Sequence, residues 1–187
     1  MLDADYGFAT PLDAATLARA QRGDREGLEA IYRTYARAAY ALCLRMLGRS
    51  AAAEDATHDA FVRAFERLRS YRGEAPFGAW LKRLVANTVI DRIRSERRWD
   101  GDADALDGLD STGTEPQLAE AIGLLARLNP LARSVVWLHS MEGFSHAEIA
   151  ARFGHSESWS KSLLARSLQR LRQLDEASDS RRPEASA

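Results

Sequence analysis

The sequence predicts an all-α fold in which two small helical domains are joined by a flexible acidic linker. Apolar residues recur at helical intervals on both sides of the linker, and no segment shows the alternation of β-branched residues that marks a strand. Residues 100–116 contain six acidic residues, no basic residue and three glycines, a composition that cannot bury enough apolar surface to fold. The predicted domains are therefore residues 13–99 and 117–174, flanked by a flexible leader at 1–12 and a disordered tail at 175–187.

Charge is distributed unevenly along the sequence. The formal net charge is -1 at pH 7, but residues 1–99 carry 17 Lys plus Arg against 13 Asp plus Glu, and residues 117–174 carry 7 against 4. The excess of acidic residues lies in the linker and the tail, so both helical domains are basic. Because basic domains attract phosphate groups, the charge pattern favours a nucleic-acid partner.

The composition also indicates the cellular compartment in which the protein works. The single cysteine, Cys43, cannot form an internal disulfide, and its apolar neighbours are typical of a buried small residue. No apolar run approaches the roughly 18 residues that a membrane span requires. The N-terminal residues lack the basic and apolar stretches of a signal peptide. We therefore expect a cytoplasmic protein that does not insert into membranes.

Three helices are predicted in the first domain. An apolar stripe predicts a helix that ends at Gly48, where glycine suits the position that follows a helix. The stripe consists of Leu28, Ile31, Tyr32, Tyr35, Ala39, Leu42 and Met46. A second helix is predicted at residues 51–68, with aromatic and leucine side chains at i, i+4 and i+7. Two glycines and a proline interrupt the pattern at residues 70–78, and a third helix follows at residues 79–98.

The predicted 51–68 helix carries an acidic patch opposite its apolar side. The patch consists of Asp55, His58, Asp59 and Val62. Carboxylates beside an exposed valine, on an otherwise basic domain, indicate a surface for a protein partner. The alternative is a solvated helix N-terminus, because the helix dipole favours carboxylates in the first turn.

The predicted 79–98 helix carries a polar and mostly cationic stripe. The stripe consists of Arg83, Asn87, Asp91 and Arg94, and Lys82 adds charge beside it. Basic residues interleaved with aromatic residues suit single-stranded nucleic acid, because the charges attract phosphates and the rings stack on bases. Trp80 is either part of this surface or a core residue. The preceding loop, with Tyr71, Arg72 and its glycines, is a candidate pocket for an unstacked base.

Helices are predicted again in the second domain, at residues 118–128 and from Pro130 onward, followed by a helix-turn-helix. Ser145 and Glu148 have the spacing of a capping box, so a short helix starts there and stops at Gly154. Ser156 then caps a second helix. Its buried side is predicted to be Leu164, Leu168 and Leu171, and its other face carries Ser158, Lys161, Ser162, Arg166 and Arg170. That face suits phosphate oxygens and base edges in the major groove, and the alternative is a plain helical hairpin.

Trp159 and Leu163 stand where a DNA-facing helix is more often polar. Three placements stay open for them. The first is contact with thymine methyl groups, the second is docking on another protein, and the third is packing into the core of their own domain.

Together these residues resemble the extracytoplasmic-function (ECF) sigma factors, the compact two-domain group of bacterial sigma factors. GDREGLEAIYRTYARAAYALCLRMLG is similar to the opening of sigma region 2, EDATHDAFVRAFERL to its core-binding helix, and SYRGEAPFGAWLKRLVANTVIDRIRSERR to its promoter-melting segment. LNPLARSVVWLHSMEGFSHAEIAARFGHSESWSKSLLARSLQRLR is similar to sigma region 4. The four segments occur in the family's order, which is more specific than any one of them.

The resemblance implies a function and its residues. Asp55, His58, Asp59, Phe61 and Val62 would lie at or beside the contact with the β and β′ subunits of the RNA polymerase core. Tyr71, Arg72, Phe77, Trp80, Arg83, Asn87 and Arg94 would hold the melted non-template strand of the minus-ten promoter element. Ser158, Trp159, Lys161, Ser162 and Arg166 would read the minus-thirty-five element as duplex. The polymerase would supply catalysis, so no enzyme activity and no cofactor or metal is expected, and an anti-sigma partner is common in this family.

Two other classes of protein remain as rivals. A dimeric helix-turn-helix repressor, or a response-regulator output domain, would use the same second domain but requires a dimer seam. A metal-dependent nuclease would require His58, His139, His146 and His155 to act with carboxylates, although their spacing matches no ligand pattern. Thr57 is a further candidate, as a phosphorylation site on the core-binding helix.

Overall fold

A computed structural model describes residues 7–100 and 123–179, so the acidic linker lies almost entirely outside the described residues. The helices are α1 (Ala14–Gln21), α2 (Arg25–Leu47), α3 (Ser50–Arg67), α4 (Phe77–Asp100), α5 (Pro130–Ser140), α6 (His146–Phe153) and α7 (Glu157–Asp179), with a 3-10 turn at Leu68–Ser70. The all-α prediction is confirmed, since the described residues form no strand. Among them, no helix is long and apolar enough to cross a membrane.

The protein divides into two compact units. The first contains the described residues up to Leu44 together with Ser50–Arg92, and the second contains Arg45–Arg49 and the described residues from Ile93 onward. Each unit is described by itself below.

In the first unit, α2, α3 and α4 contribute most of the core. The fully buried side chains include Ile31, Tyr35, Ala39 and Leu42 from α2, and Leu81, Val85 and Val89 from α4. Helix α3 contributes mainly alanines, which are small enough to let the neighbouring helices approach it closely. Gly48, which belongs to the second unit, follows α2 with a φ of 81°, the left-handed conformation expected of a glycine at a helix end.

Three sequence predictions for the first unit are wrong in part. Tyr32 belongs to the apolar stripe of α2 but is 48% exposed, because it lies about 100° around the helix from Ile31. Thr57 is buried, and its hydroxyl donates to the Ala53 carbonyl at 2.7 Å, so it is not an accessible phosphorylation site. Residues 7–12 fall within the predicted flexible leader, yet the Phe8 ring stacks on Tyr35 at 6.5 Å.

Cys43 is buried, as the sequence predicts. Burial raises the pKa of its thiol to about 11, and a hydrogen bond with Thr57 opposes that shift. The thiol is therefore protonated at neutral pH, which is the state of an inert core cysteine.

In the second unit, α5 and α7 pack around an apolar cluster. Leu128, Ala132 and Val136 form its buried centre. Leu125, Leu163, Leu164, Leu168 and Leu171 pack against it, so the predicted buried side of α7 is confirmed. Helix α7 extends to Asp179, which places the first residues of the predicted tail in a helix. Once a helix has started, each further residue adds a backbone hydrogen bond at little cost.

A buried arginine also holds the second unit together. Arg133 is 1% exposed. Its guanidinium donates to the carbonyls of Leu125, Ala126 and Leu128 at distances of 3.1, 3.1 and 2.8 Å. The three carbonyls lie at or just after the end of the helical turn at residues 123–126, and the Leu125 carbonyl also accepts the Leu128 backbone N–H at 3.0 Å. Arg133, from the neighbouring helix, thus caps the C-terminal end of that turn.

Candidate protein and nucleic-acid interfaces

The acidic patch lies on the solvent side of α3. Asp55, His58, Asp59 and Val62 are all exposed, and Val62 is 43% exposed. Helix α3 begins at Ser50 and has no acidic residue in its first turn. Because the dipole acts mainly within that turn, it does not account for the patch, and the alternative of a solvated N-terminus loses its basis.

Phe61 does not belong to that surface. It is 2% exposed and lies beneath it, with its ring 4.7 Å from Tyr32 and 5.8 Å from Phe65. The burial that the helical spacing predicts for Phe61 is therefore confirmed, and Phe61 lies beside the proposed contact as a supporting residue. Tyr32, which the sequence pattern places in the core, instead adds exposed aromatic area beside the patch.

The polar stripe of α4 is placed as the sequence predicts. Arg83 and Arg94 are exposed, and Lys82 and Asn87 are half-buried. Asp91 pairs with Arg63 of α3 at 3.0 Å, which reduces the negative charge on this face. The remaining charges of the stripe are cationic, and they follow the helix at intervals that keep them on one side.

Asn87 has an unusual environment on this face. Its Oδ1 atom is buried and accepts no hydrogen bond from the residues that the structure describes. A buried acceptor without a donor costs about 1–3 kcal/mol, so a group that donates to it would bind favourably. Because Oδ1 itself has almost no exposed surface, a donor on a ligand reaches it only when the side-chain amide turns outward.

An aromatic cluster of Tyr71, Phe77 and Trp80 lies at the start of α4. The ring centroids are 5.3 Å apart for Tyr71 and Phe77, 5.4 Å for Tyr71 and Trp80, and 5.3 Å for Phe77 and Trp80. Tyr71 and Trp80 are half-buried, so Trp80 belongs neither wholly to the core nor wholly to the surface. Phe77 is 6% exposed, so within the predicted strand-binding set it supports the Tyr71 and Trp80 rings from below.

The loop before α4 is anchored at its base. The side-chain amide of Gln21 donates to the carbonyls of Leu68 at 3.3 Å and Tyr71 at 3.1 Å. The Tyr71 hydroxyl donates to the Ala75 carbonyl at 2.6 Å, which closes the loop on itself. Arg72 is exposed. The sequence does not indicate this role of Gln21, because a side chain that donates hydrogen bonds to backbone carbonyls about 50 residues away leaves no periodic pattern.

The helix-turn-helix is formed as predicted. Ser145 and Glu148 make a complete capping box at the start of α6, and Gly154 ends α6 in the left-handed conformation with a φ of 74°. The Ser156 hydroxyl accepts from the Trp159 backbone N–H at 3.3 Å and so caps α7. The exposed residues of α7 include Ser158, Lys161, Ser162, Arg166 and Arg170. Lys161 pairs with Glu157 at 2.6 Å.

Trp159 and Leu163 fold back into their own unit. The Trp159 ring stacks on His155 at 4.1 Å and lies 5.7 Å from Phe153. Leu163 packs against the apolar cluster of α5. Leu163 thus takes the third placement left open by the sequence, whereas Trp159 packs on its own unit and stays half-exposed.

A pair of histidines joins α5, α6 and α7. The rings of His139 and His146 stack with centroids 4.0 Å apart, and His146 Nδ1 lies 3.1 Å from the hydroxyl of buried Ser160. Burial lowers the pKa of His146, the adjacent His139 and Lys161 lower it further, and Glu157 opposes them. Among the described residues, no group of three or more His, Cys, Asp or Glu side chains is arranged to hold a metal ion.

We expect the second unit to lose stability as the pH falls below about 6.5, the usual pKa of histidine. His146 has a lowered pKa in the folded state, so the unfolded protein binds the proton first and stability is complete only above that pH. Hydrogen exchange of α6 and α7 amides between pH 5 and 8, corrected for intrinsic rates, measures this. His146→Gln should flatten the dependence, and His58→Gln, on α3, should not; equal profiles for wild type and His146→Gln would contradict the assignment.

Comparisons with known proteins define the class. The family described as Sigma-70 region 2 matches residues 31–99, and the family described as Sigma-70, region 4, matches residues 118–171. The sequence is 32% identical over 165 residues to the ECF RNA polymerase sigma factor SigM of Mycobacterium tuberculosis, a match that spans 87% of this protein and 84% of SigM. This chain belongs to the ECF family of RNA polymerase sigma factors.

Two further similarities are informative. The ECF RNA polymerase sigma factor BldN of Streptomyces coelicolor is 30% identical over 167 residues; the match covers 83% of this protein and 63% of BldN, just under two thirds of that relative. The sigma factor RpoE of Bartonella quintana, solved in complex with the anti-sigma factor NepR, is 22% identical with a TM-score of 0.56. That match covers 79% of this protein and 96% of RpoE. The latter similarity concerns the fold alone.

Proposed function

We propose that this protein binds the RNA polymerase core and directs promoter recognition, DNA melting and transcription initiation at a specific set of promoters. The α4 face supports this proposal most directly. Tyr71 and Trp80 place two half-buried rings at its start, and exposed Arg83 and the Asn87 side chain follow along the helix; Asn87 Oδ1 has no hydrogen-bond partner among the described residues. Family membership supports the same function. In this proposal residues 13–99 act as region 2 and residues 117–174 as region 4.

The α3 patch is the proposed contact with the polymerase core. It combines exposed Val62 and Tyr32 with the carboxylates Asp55 and Asp59. Exposed apolar side chains rimmed by charges are typical of protein-binding surfaces. Asp55 lies 3.5 Å from Arg92 on the surface, an exposed pair that contributes little to stability and is easily exchanged for a partner's cation.

The α4 face is the proposed site for the melted non-template strand. Trp80, Arg83, Asn87 and Arg94 fall on one stripe of the helix, since they are separated by three, four and seven residues. A base that leaves the duplex can stack on the Tyr71 and Trp80 rings while the arginines attract its phosphates. Binding energy that is available only to the separated strand shifts the promoter from duplex towards open DNA, and no covalent step by this protein is needed.

The α7 face is the proposed reader of duplex DNA. Ser158, Lys161, Ser162, Arg166 and Arg170 project from the second helix of the helix-turn-helix, which is the one that enters the major groove in this motif. An anti-sigma factor is the proposed means of restraint, since such partners are common in this family and buried Thr57 does not suit phosphorylation.

Transcription in vitro tests the proposal directly. The purified protein and core polymerase are combined on a library of random upstream sequences, and the transcripts are sequenced. We expect a small set of start sites that share two upstream elements, and none with core enzyme alone. Absence of any start site that depends on the protein, or a stable dimer that binds a symmetric operator without polymerase, would overturn the proposal in favour of a repressor.

Lys161→Ala and Arg166→Ala should each weaken duplex binding and flatten its salt dependence. Each phosphate contact contributes roughly one unit to the slope of log K against log salt. Fluorescence anisotropy of a labelled minus-thirty-five duplex with holoenzyme, titrated at several salt concentrations, measures that slope. Arg127→Ala, an exposed arginine outside α7, serves as the control. A slope unchanged in the α7 variants would count against phosphate contact there.

A further inference from the structure

The segment immediately before α1 crosses the start of the proposed strand-binding site. We call residues 7–12 the N-terminal strap. The Phe8 ring lies nearly parallel to the Tyr35 ring, at 6.5 Å and 16°. The Tyr35 hydroxyl donates to the Thr10 carbonyl at 2.6 Å. Tyr35 itself is fully buried in the core, so the strap is tied to the rigid centre of the first unit.

Gly78, in the first turn of α4, shows how closely the strap approaches. A Cβ atom at this position would lie 1.8 Å from the Phe8 carbonyl oxygen and 3.2 Å from the Tyr35 ring. The nearer atom, the Phe8 carbonyl oxygen, is part of the backbone and cannot rotate out of the way as the end of a flexible side chain could. Glycine is therefore required here for contact between two backbones.

The same residues connect the strap to the aromatic cluster. Tyr35 contacts Phe77 at 5.6 Å between ring centroids, and Phe77 contacts both Tyr71 and Trp80 at 5.3 Å. A continuous series of ring contacts thus runs from Phe8 to the two half-buried rings proposed to stack on bases. None of these contacts involves the α3 patch.

We propose that the N-terminal strap is a positioning segment for the strand-binding site: by clamping Tyr35 and the first turn of α4, it holds Tyr71 and Trp80 at the spacing that accepts an unpaired base. The inference rests on the proposed function. If the strap has this role, the affinity for the melted strand and the affinity for the polymerase core should change independently. Release of the strap weakens binding of the melted strand and leaves binding of the polymerase core unchanged.

Four variants and one control test the strap. Gly78→Ala displaces it with a single methyl group, and because alanine is the better helix former, any loss does not come from weakening of α4. Tyr35→Phe removes only the hydroxyl that donates to Thr10 and keeps the packed ring. Phe8→Ala removes the stacked ring, and Phe8→Tyr is the conservative variant that keeps an aromatic ring at this position. Gly123→Ala is the matched control, since a Cβ there meets nothing within 4 Å.

The experiment measures two affinities of each variant: for core polymerase, and, as holoenzyme, for a labelled non-template strand from a promoter selected in vitro. We expect Gly78→Ala and Phe8→Ala to lose about tenfold in strand affinity, the value of one base stack, with core affinity unchanged. Tyr35→Phe should lose less, and Phe8→Tyr and Gly123→Ala should match the wild type. Amides of residues 71–80 should exchange faster in Gly78→Ala.

Strand affinity in Gly78→Ala and Phe8→Ala equal to that of the wild type would overturn the inference and leave the proposed function standing. An equal loss of strand and core affinity in all strap variants, including Tyr35→Phe, would also overturn it, because that pattern reports general unfolding. A wild-type holoenzyme that retains no strand would overturn the proposed function, and the inference with it.

Discussion

Asn87→Ala and Arg83→Ala are each expected to reduce open-complex formation by roughly 10- to 100-fold, the cost of losing a contact to an unpaired base. Both side chains lie on the polar stripe of α4, and neither belongs to the α3 patch. Asn87→Ala removes an acceptor that has no partner among the described residues, so the fold loses no hydrogen bond at that atom. Asn87→Ala should therefore lose melting activity without losing stability.

Permanganate footprinting of a selected promoter measures the melted thymines, and pull-down with core polymerase measures holoenzyme assembly. Arg33→Ala is a suitable control for Arg83→Ala, because Arg33 is an exposed arginine of α2 that pairs with its neighbour Glu29 on the same helix. The control should melt the promoter normally. An equal loss of assembly and melting in the Asn87 and Arg83 variants would reject the assignment of this face to the DNA strand.

Arg133→Met is expected to destabilise the second unit by about 3 kcal/mol or more, because it leaves three carbonyls at a buried helix end without their charged donor. The segment around it ends the 123–126 turn and begins α5, so loss of this cap should loosen the apolar cluster of Leu128, Ala132 and Val136. The first unit should keep its stability. Duplex binding should fall in proportion to the folded fraction.

Hydrogen exchange followed by mass spectrometry resolves the two units in one sample. Amides of α5, α6 and α7 should exchange much faster in Arg133→Met, and amides of α2 and α3 should not change. Arg172→Met, an exposed arginine of α7, should stay within about 0.5 kcal/mol of the wild type. Protection of α5 in Arg133→Met equal to that of the wild type would show that the three carbonyl bonds contribute little.

Local signals predict much of the fold. Pro130 begins α5 with Asn129 as its cap, Ser145 and Glu148 begin α6, and Gly154 ends it. Each of these features depends on residues within one turn of each other, so a sequence pattern contains all the information needed. The buried side of α7 is predictable for the same reason, since helical periodicity alone defines it.

Features that depend on distant residues escape such prediction. The helical spacing places Phe61 on the apolar side of its helix, and it is buried, whereas the family resemblance alone places Phe61 and Phe77 at or beside binding surfaces and does not indicate that both lie in the core. Arg133 gives no signal of burial, because a charge in a sequence usually indicates solvent. The N-terminal strap resembles a leader in sequence, since its contacts with Tyr35 and Gly78 span many residues and show no periodicity.

A strand-selectivity measurement with reconstituted holoenzyme tests most directly whether the α4 face binds the melted non-template strand. Labelled oligonucleotides carrying the non-template strand, the template strand and the intact duplex of one selected minus-ten element compete for binding. We expect the non-template strand to bind at least about tenfold more tightly than the other two, with the preference lost in Asn87→Ala. Equal affinity for both strands, or a preference for the closed duplex, would contradict it.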